Sequence, residues 1–151
     1  MKVTLAAVGR ARDSPVRALV DDYARRLPWP FTLREIADIA GDRRREREGD
    51  KLLAALPEGA FVVALDSRGR QLSSEALADW LGQRRDEGCR DLALVIGGAD
   101  GLSPAVIQRA GMILSLGAMT WPHLMVRAML AEQLYRASTI LAGHPYHSGH
   151  A

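Results

Sequence analysis

Two kinds of hydrophobic pattern alternate along the chain and predict alternating strands and helices. Short, mostly apolar runs predict strands, and apolar residues spaced three or four positions apart predict helices. Strands are predicted at residues 2–8, 31–36, 61–65, 92–96 and 112–116. Helices are predicted at residues 15–26, 43–56, 75–87, 122–141 and, as a short helix, from 104 onwards.

Helices that separate successive strands predict an α/β fold with a mostly parallel five-stranded sheet and helices on both faces. The runs at 61–65 and 92–96 are entirely apolar, which is typical of strands buried on both faces. Ligands of such sheets bind at the carboxyl ends of the strands. Residues that follow predicted strands are therefore candidates for a binding site: Gly9, Asp66, Gly97, Gly98 and Gly117.

The length of 151 residues and a hydrophobic content of 48% indicate one compact domain, residues 1–151. No apolar stretch is long enough to cross a bilayer, and no cleavage-site pattern follows Met1 and Lys2. We therefore expect a cytoplasmic protein with no membrane partner. The single cysteine, Cys89, excludes an internal disulfide and a metal cluster built on cysteines.

The charge pattern leaves two interpretations open. The net charge is only +2, well below that of a dedicated nucleic-acid-binding arm. Most of the 20 basic residues are arginine, however, and six of them flank two predicted strand ends: Arg10, Arg12, Arg43, Arg44, Arg45 and Arg47. This cluster favours a surface for a polyanion. Its alternation with Glu46 and Glu48 is equally typical of a solvated helix start.

A glycine-rich turn follows the strand at 92–96. Gly97, Gly98 and Gly101 allow a sharp turn and a close approach of a flat ligand to the backbone. The spacing fits neither a dinucleotide fingerprint nor a phosphate-binding loop. Taken alone, the segment is typical of a tight turn. Taken together with residues 117–122 after the next strand, it predicts a pocket with two walls.

Asp66 lies directly after a predicted strand, where a carboxylate has two possible uses. It could accept hydrogen bonds from a ribose or an ammonium group of a ligand. It could also cap the turn formed by residues 66–69, and capping is the interpretation that the turn sequence favours.

The last predicted helix is apolar around most of its circumference. Such a helix needs two partners, and we expect the sheet on one side and a second subunit on the other. Arg127 and Arg136 interrupt the apolar surface. They are expected either to face a charged ligand or the subunit interface, or to extend along the surface into solvent.

The C-terminal tail combines histidines with a tyrosine. The spacing of His144, His147 and His150 suggests a metal site, but Pro145 interrupts the register and no acidic or thiol ligand lies nearby, so no metal is predicted. Tyr146, between two histidines, is suited to stacking on a nucleobase beside groups that move a proton. The alternative is a tail that proline and tyrosine merely hold in place.

Three motifs in these regions carry a resemblance to a known family. They are VIGGADGLS at 95–103, LSLGAMTWPH at 114–123, and AEQLYRA at 131–137 followed by HPYH at 144–147. Together they resemble the RlmH-type methyltransferases of large-subunit ribosomal RNA, which belong to the SPOUT class, and the resemblance extends over the full length. The chain departs from the family at Ala99-Asp100, where Pro-Glu is common, and after His147, where a basic residue often follows.

The resemblance implies a SPOUT fold with a C-terminal trefoil knot, in which the last helix threads behind a loop. It also implies a homodimer that uses S-adenosylmethionine to methylate N3 of a pseudouridine in 23S ribosomal RNA, near the decoding centre of assembled ribosomes. No DNA partner is implied.

The resemblance further implies the residues of the site. The cofactor-binding residues are Leu65, Gly97, Gly98, Leu116, Gly117, Ala118, Met119, Thr120, Trp121 and Pro122. The candidate catalytic residues are His123, Arg136, His144, Tyr146 and His147. The N3 proton of a uracil ring is only weakly acidic, so the reaction needs a nearby base or a cation that stabilises the anion. The sequence does not rank these five residues, and the tail could complete the partner subunit's pocket.

Two other classes of function remain open. A different SPOUT enzyme, acting on a ribose hydroxyl or a transfer RNA base, would share the pocket but usually carries additional RNA-binding elements. A non-enzymatic RNA-binding module would explain the arginines but has no need of a glycine-rich pocket. Binding of S-adenosylmethionine separates an enzyme from such a module.

Overall fold

The computed structural model describes residues 1–148, in which five strands form one sheet. The strands are β1 (Lys2–Val8), β2 (Phe31–Ile36), β3 (Phe61–Gln71), β4 (Asp91–Ile96) and β5 (Met112–Ser115). Their order across the sheet is β2-β1-β4-β3-β5, and every neighbouring pair is parallel. The predicted α/β class and the five strands are confirmed, and the sheet is entirely parallel.

Five helices connect and follow the strands. They are α1 (Pro15–Arg26), α2 (Arg44–Ala54), α3 (Ser74–Asp86), α4 (Pro104–Arg109) and α5 (His123–Ala142). Ser14 and Ser103 cap α1 and α4 through their hydroxyl groups, each directly before a proline in the first turn. Helix α2 ends at Ala54, two residues earlier than predicted. Leu56 precedes Pro57, and a residue before a proline disfavours the helical conformation.

The helices cover both faces of the sheet. Helices α1, α3 and α5 pack on one face, and α5 lies against both of the others. Helices α2 and α4 pack on the opposite face. Side chains alternate between the two cores along each strand, so that Leu5 and Leu94 face α5 whereas Ala6 and Val95 face α2 and α4. This double burial explains the continuous apolar runs in the sequence. No helix within residues 1–148 is long and apolar enough to cross a membrane.

Strand β3 is longer than predicted because it stops pairing with β5, forms a short excursion, and then pairs with β5 again. Leu65 and Arg70 both pair with Leu114 of β5, so residues 66–69 form an excursion between them. Gly69 is required on the way back, since a Cβ there would lie 2.6 Å from the carbonyl oxygen of Ile113. The excursion carries polar residues to the carboxyl edge of the sheet. Threading of α5 through a knot stays a prediction.

Arg127 of α5 is fully buried, which contradicts the expectation that it extends into solvent or faces a ligand. Its guanidinium donates hydrogen bonds to the carbonyl oxygens of Val8 and Gly9, both at 2.7 Å, and to Glu35 at 2.6 Å. Glu35 also accepts a bond from the backbone N–H of Ala11 at 2.7 Å. Arg127 therefore ties the start of α5 to the ends of β1 and β2.

We predict that Glu35→Ala lowers the free energy of unfolding by about 3–5 kcal/mol, because it leaves a buried guanidinium without its counter-charge. The double variant Glu35→Leu/Arg127→Met should recover part of this loss, since it removes both charges. Urea denaturation measures both effects. Glu87→Ala, which breaks the exposed ion pair with Arg84, is the control and should cost at most about 1 kcal/mol. A loss for Glu35→Ala as small as that of the control would contradict the prediction.

Candidate functional site

A cavity of about 550 Å³ opens at the carboxyl edge of the sheet, beyond β3, β4 and β5. Its walls come from the β3 excursion, from the loops after β4 and β5, and from the first turn of α5. These segments meet because the carboxyl ends of parallel strands lie at one edge. The volume is within the usual range for a small-molecule site.

The cavity brings together nine of the ten predicted cofactor-binding residues. They are Leu65, Gly97, Gly98, Leu116, Gly117, Met119, Thr120, Trp121 and Pro122. Ala118 is exposed and does not line the cavity. Sequence reasoning missed Ser67 and Arg68 as wall residues, since nothing in the hydrophobic pattern indicates that β3 leaves the ladder at this point.

The glycine turn forms the wall beyond β4. A Cβ on Gly97 would lie 2.7 Å from the backbone carbon and oxygen of Gly101, so no larger residue fits there. The turn is closed by a hydrogen bond from the N–H of Gly101 to the carbonyl of Gly98 at 3.1 Å. Gly101 has a φ of 77°, a conformation that favours glycine. The segment is thus both a tight turn and a cavity wall.

The loop after β5 forms the opposite wall. Gly117 donates its backbone N–H to the hydroxyl oxygen of Ser115 at 3.1 Å, and that hydroxyl donates to the carbonyl of Gly117 at 3.2 Å. Gly117 adopts a φ of 109°, again a glycine conformation. Beyond this turn, Met119 and Trp121 are exposed by 74% and 39%. Large apolar side chains exposed at a cavity rim are typical of a surface that a ligand covers.

Asp66 caps the turn, as its position in the sequence favours. Its carboxylate accepts a hydrogen bond from the backbone N–H of Arg68 at 2.8 Å and forms an ion pair with the same residue's side chain at 3.1 Å. The side-chain bond from Arg68 is the main reason that the pKa of Asp66 is lowered. The carboxylate also lines the cavity, so capping is compatible with contact to a bound ligand.

Among the five candidate catalytic residues, His123 alone lines this cavity. It is the first residue of α5 and is half-buried. Its imidazole makes no hydrogen bond with any residue of the described range 1–148. Its Nε2 atom lies 3.6 Å from the position that a Cβ of Gly9 would occupy. The imidazole is therefore available to a ligand or substrate.

Three of the other four candidates gather in a tail cluster, which we define as Arg136, Tyr146 and His147 with Glu75 and Glu132. Arg136 binds Glu132 through two nitrogens, at 2.6 and 2.9 Å, and its Nη1 lies 2.9 Å from Nδ1 of His147. Because arginine can only donate, Nδ1 of His147 accepts this bond. Nε2 of His147 then carries the proton and donates to Glu75 at 2.7 Å. The basic nitrogen of His147 is thus occupied by Arg136.

Tyr146 is held against the same cluster. Its hydroxyl donates to Glu132 at 3.2 Å, and its ring packs on Tyr135 with 4.7 Å between the centroids. Burial, followed by the hydrogen bond with Tyr23, raises the pKa of Tyr146 to about 12. The phenol therefore stays protonated at neutral pH and acts as a donor. His144 is exposed, and its Nδ1 accepts a bond from the backbone N–H of Tyr146 at 3.1 Å.

Within one chain, the tail cluster lies far from the cavity. His123 and Arg136 are separated by 13 positions of one continuous helix. At a rise of 1.5 Å per residue, their backbones are about 20 Å apart. The predicted catalytic residues therefore fall into two groups that a single chain does not bring together.

A second cavity, of about 620 Å³, lies between α1, α3 and α5. We call it the helix groove. Its lining is mainly apolar. Two of its large apolar side chains are exposed, Met125 in the first turn of α5 by 44% and Leu19 of α1 by 48%. Tyr23 and Glu132 also line it, so the groove borders the tail cluster. Among residues 1–148, no group of three or more histidine, cysteine or acidic side chains could hold a metal ion. His150 lies outside the described residues.

Sequence comparison relates this chain to methyltransferases. Residues 1–147 match the family described as "Predicted SPOUT methyltransferase". A protein of Rhodospirillum centenum named ribosomal RNA large subunit methyltransferase H is 56% identical over 150 residues, covering 97% of this chain and 99% of the relative. A protein of the same name from Paramagnetospirillum magneticum is 52% identical with the same coverage.

Solved structures show the same fold at low sequence identity. A probable methylase family protein from Haemophilus influenzae has a TM-score of 0.59 and 8% identity, covering 99% of this chain and 71% of that chain. The SpoU methyltransferase AviRb from Streptomyces viridochromogenes, in complex with AdoMet, has a TM-score of 0.50 and 14% identity, covering 91% and 58%. These likenesses concern the fold alone.

We predict that Gly97→Ala weakens the binding of S-adenosylmethionine about tenfold or more, because overpacking against backbone atoms costs about 1–3 kcal/mol. Isothermal titration calorimetry measures the affinity. Gly82→Ala on α3 is the matched control, since the atoms nearest to a Cβ there belong to the flexible side chain of Leu141. An unchanged affinity for Gly97→Ala would show that this cavity does not hold the cofactor.

Proposed function

Because the chain belongs to the SPOUT methyltransferase family, we propose that it transfers a methyl group from S-adenosylmethionine to N3 of a pseudouridine in 23S ribosomal RNA. It acts on assembled ribosomes in the cytoplasm. The observation that carries this proposal is the nearly end-to-end match, at 56% identity, with a relative named for large-subunit ribosomal RNA methylation. Membership of an enzyme family also favours this function over a non-enzymatic binding module.

The residues of the cavity fit S-adenosylmethionine. Gly97 permits the tight turn that forms one wall of the cavity, and Leu65, Leu116 and Trp121 supply apolar surface for a flat base. Asp66 supplies a charged carboxylate for polar groups of the ligand. When bound, the cofactor supplies an electrophilic methyl group. The protein must then orient the uracil ring and manage its N3 proton.

The structure supports a division of the proton chemistry among the candidate residues. His123 lines the cavity and makes no hydrogen bond within residues 1–148, so it is the residue that accepts the N3 proton. Tyr146 stays protonated, and the basic nitrogen of His147 is engaged by Arg136. These tail residues are therefore donors, suited to stabilising negative charge on the ring oxygens rather than to removing a proton.

The distance between cavity and tail supports the participation of a second chain. An intact α5 keeps Arg136 about 20 Å from His123, so the tail of one chain completes the cavity of another in a homodimer. The helix groove supplies a surface for this assembly, because it exposes Leu19 and Met125 and borders the tail cluster. In a two-fold dimer the same groove is buried on both chains, and two equivalent sites result.

We expect methyl transfer to ribosomes that contain the unmethylated pseudouridine to be at least about tenfold faster than to ribosomes whose target uridine was never isomerised. Pseudouridine offers an additional ring N–H, and a site that binds such a group discriminates strongly against a base without it. Transfer of labelled methyl groups to purified ribosomes, with mapping of the modified nucleotide by mass spectrometry, measures both rates. Equal rates would contradict the assignment of the base. If neither kind of ribosome is methylated, the proposed function is contradicted.

A further inference from the structure

Two arginines adopt a backbone conformation that normally favours glycine. Arg12 has a φ of 52° and Arg43 a φ of 56°, and within residues 1–148 they are the two non-glycine residues with positive φ. The left-handed region is unfavourable for residues with a Cβ, and asparagine or glycine occupies it at lower cost. A residue with a long side chain in this strained conformation motivates a search for a function of that side chain.

Neither arginine uses its side chain for a hydrogen bond or an ion pair within the described chain. Both arginines are exposed, and neither side chain makes a hydrogen bond or an ion pair with residues 1–148. Asp13 follows Arg12 and Asp42 precedes Arg43, yet neither aspartate pairs with its neighbour. Arg43 is also the N-cap residue of α2, and its side chain makes no capping bond there. An asparagine would suit both the backbone and the cap at this position.

The first of the two loops that carry these arginines lies beside His123 of the cavity wall, and the second loop lies beside the first. They follow β1 and β2, which are neighbours in the sheet. A Cβ on Gly9 would lie 3.5 Å from the carboxylate of Asp38 and 3.6 Å from Nε2 of His123, so the first loop touches both the second loop and the cavity wall. The Ala11 N–H bond to Glu35, itself bound to Arg127, holds the first loop in place.

Arg44 and Arg45, which follow Arg43 on α2, differ in this respect. Arg44 forms two hydrogen bonds with Asp100, at 2.7 and 2.9 Å, and Arg45 pairs with Glu46 at 3.3 Å. Arg44 and Arg45 therefore fit the interpretation of the cluster as a solvated, ion-paired helix start. Arg12 and Arg43 fit the other interpretation, a surface for a polyanion.

We propose that Arg12 and Arg43 bind phosphate groups of the ribosomal RNA beside the entrance to the cavity. This inference rests on the proposed function and adds the residues that hold the RNA. Arginine suits phosphate because its planar guanidinium can donate two parallel hydrogen bonds. The surrounding network fixes the loops, so that the guanidinium groups are presented to the RNA at the strand ends where the target base must enter.

Substitution by glycine removes the side chain and relieves the backbone strain, so the two effects can be measured separately, as ribosome binding and as thermal stability. Arg12→Gly and Arg43→Gly relieve the left-handed conformation, so the thermal midpoint of each variant should remain unchanged or rise. Both variants should bind S-adenosylmethionine as the wild type does, and both should bind ribosomes more weakly. Arg90→Gln is the matched control, because Arg90 is exposed and its side chain has no partner within the described residues, but it precedes β4 at the opposite edge of the sheet.

The deciding measurement is the salt dependence of binding to unmethylated ribosomes at fixed magnesium concentration, between about 50 and 200 mM KCl. Loss of one phosphate contact should reduce the slope of log Kd against log salt by about 0.7–0.9, and the double variant should lose about twice as much. The control should keep the wild-type slope. Wild-type slopes for both glycine variants would overturn the inference, whatever their thermal midpoints. If the wild-type protein methylates ribosomes in the same experiment, such a result leaves the proposed function standing; if it neither binds nor methylates them, both fail.

Discussion

The rigid length of α5 constrains how an active site can form from this chain. The helix begins at the cofactor cavity with His123 and reaches the tail cluster with Arg136, 13 positions later. Its 20 residues are continuous, so the two groups of candidate residues cannot approach each other within one chain. A site that uses both groups must therefore be assembled from two copies.

The buried pair of Arg127 and Glu35 places α5 and the strand-end loops relative to one another. It connects α5 to the carbonyl groups at the end of β1 and, through Glu35, to the loop that carries Arg12. Burying an ion pair costs desolvation energy that can exceed the attraction between the charges, but the pair fixes the orientation of α5 relative to the strand ends. The same contact thereby positions His123 at the cavity and presents the proposed RNA contacts beside it.

The sequence predicted the sheet, the helices and most of the cavity, because each depends on patterns that are local in the chain. Gly97 and Trp121 could be placed in one cavity since each follows a parallel strand. The burial of Arg127 could not be predicted, because its partners lie about 90 to 120 positions away. The excursion of β3 was missed as well, since residues 66–69 read as an ordinary turn after a strand. The separation of the tail from the cavity became visible only once both were placed along α5.

Complementation between two inactive variants tests the two-chain site most directly. At a cofactor concentration well below the Kd of the Gly97→Ala variant, this substitution leaves the cavity largely empty and the tail intact, whereas His147→Ala disables the tail and leaves the cavity intact. After subunit exchange, verified by native mass spectrometry, half of the dimers are mixed and each contains one intact cavity facing one intact tail. Methyl transfer to ribosomes should then return to about a quarter of the wild-type rate. A mixture no more active than the separate variants, despite complete exchange, would contradict a site built from two chains.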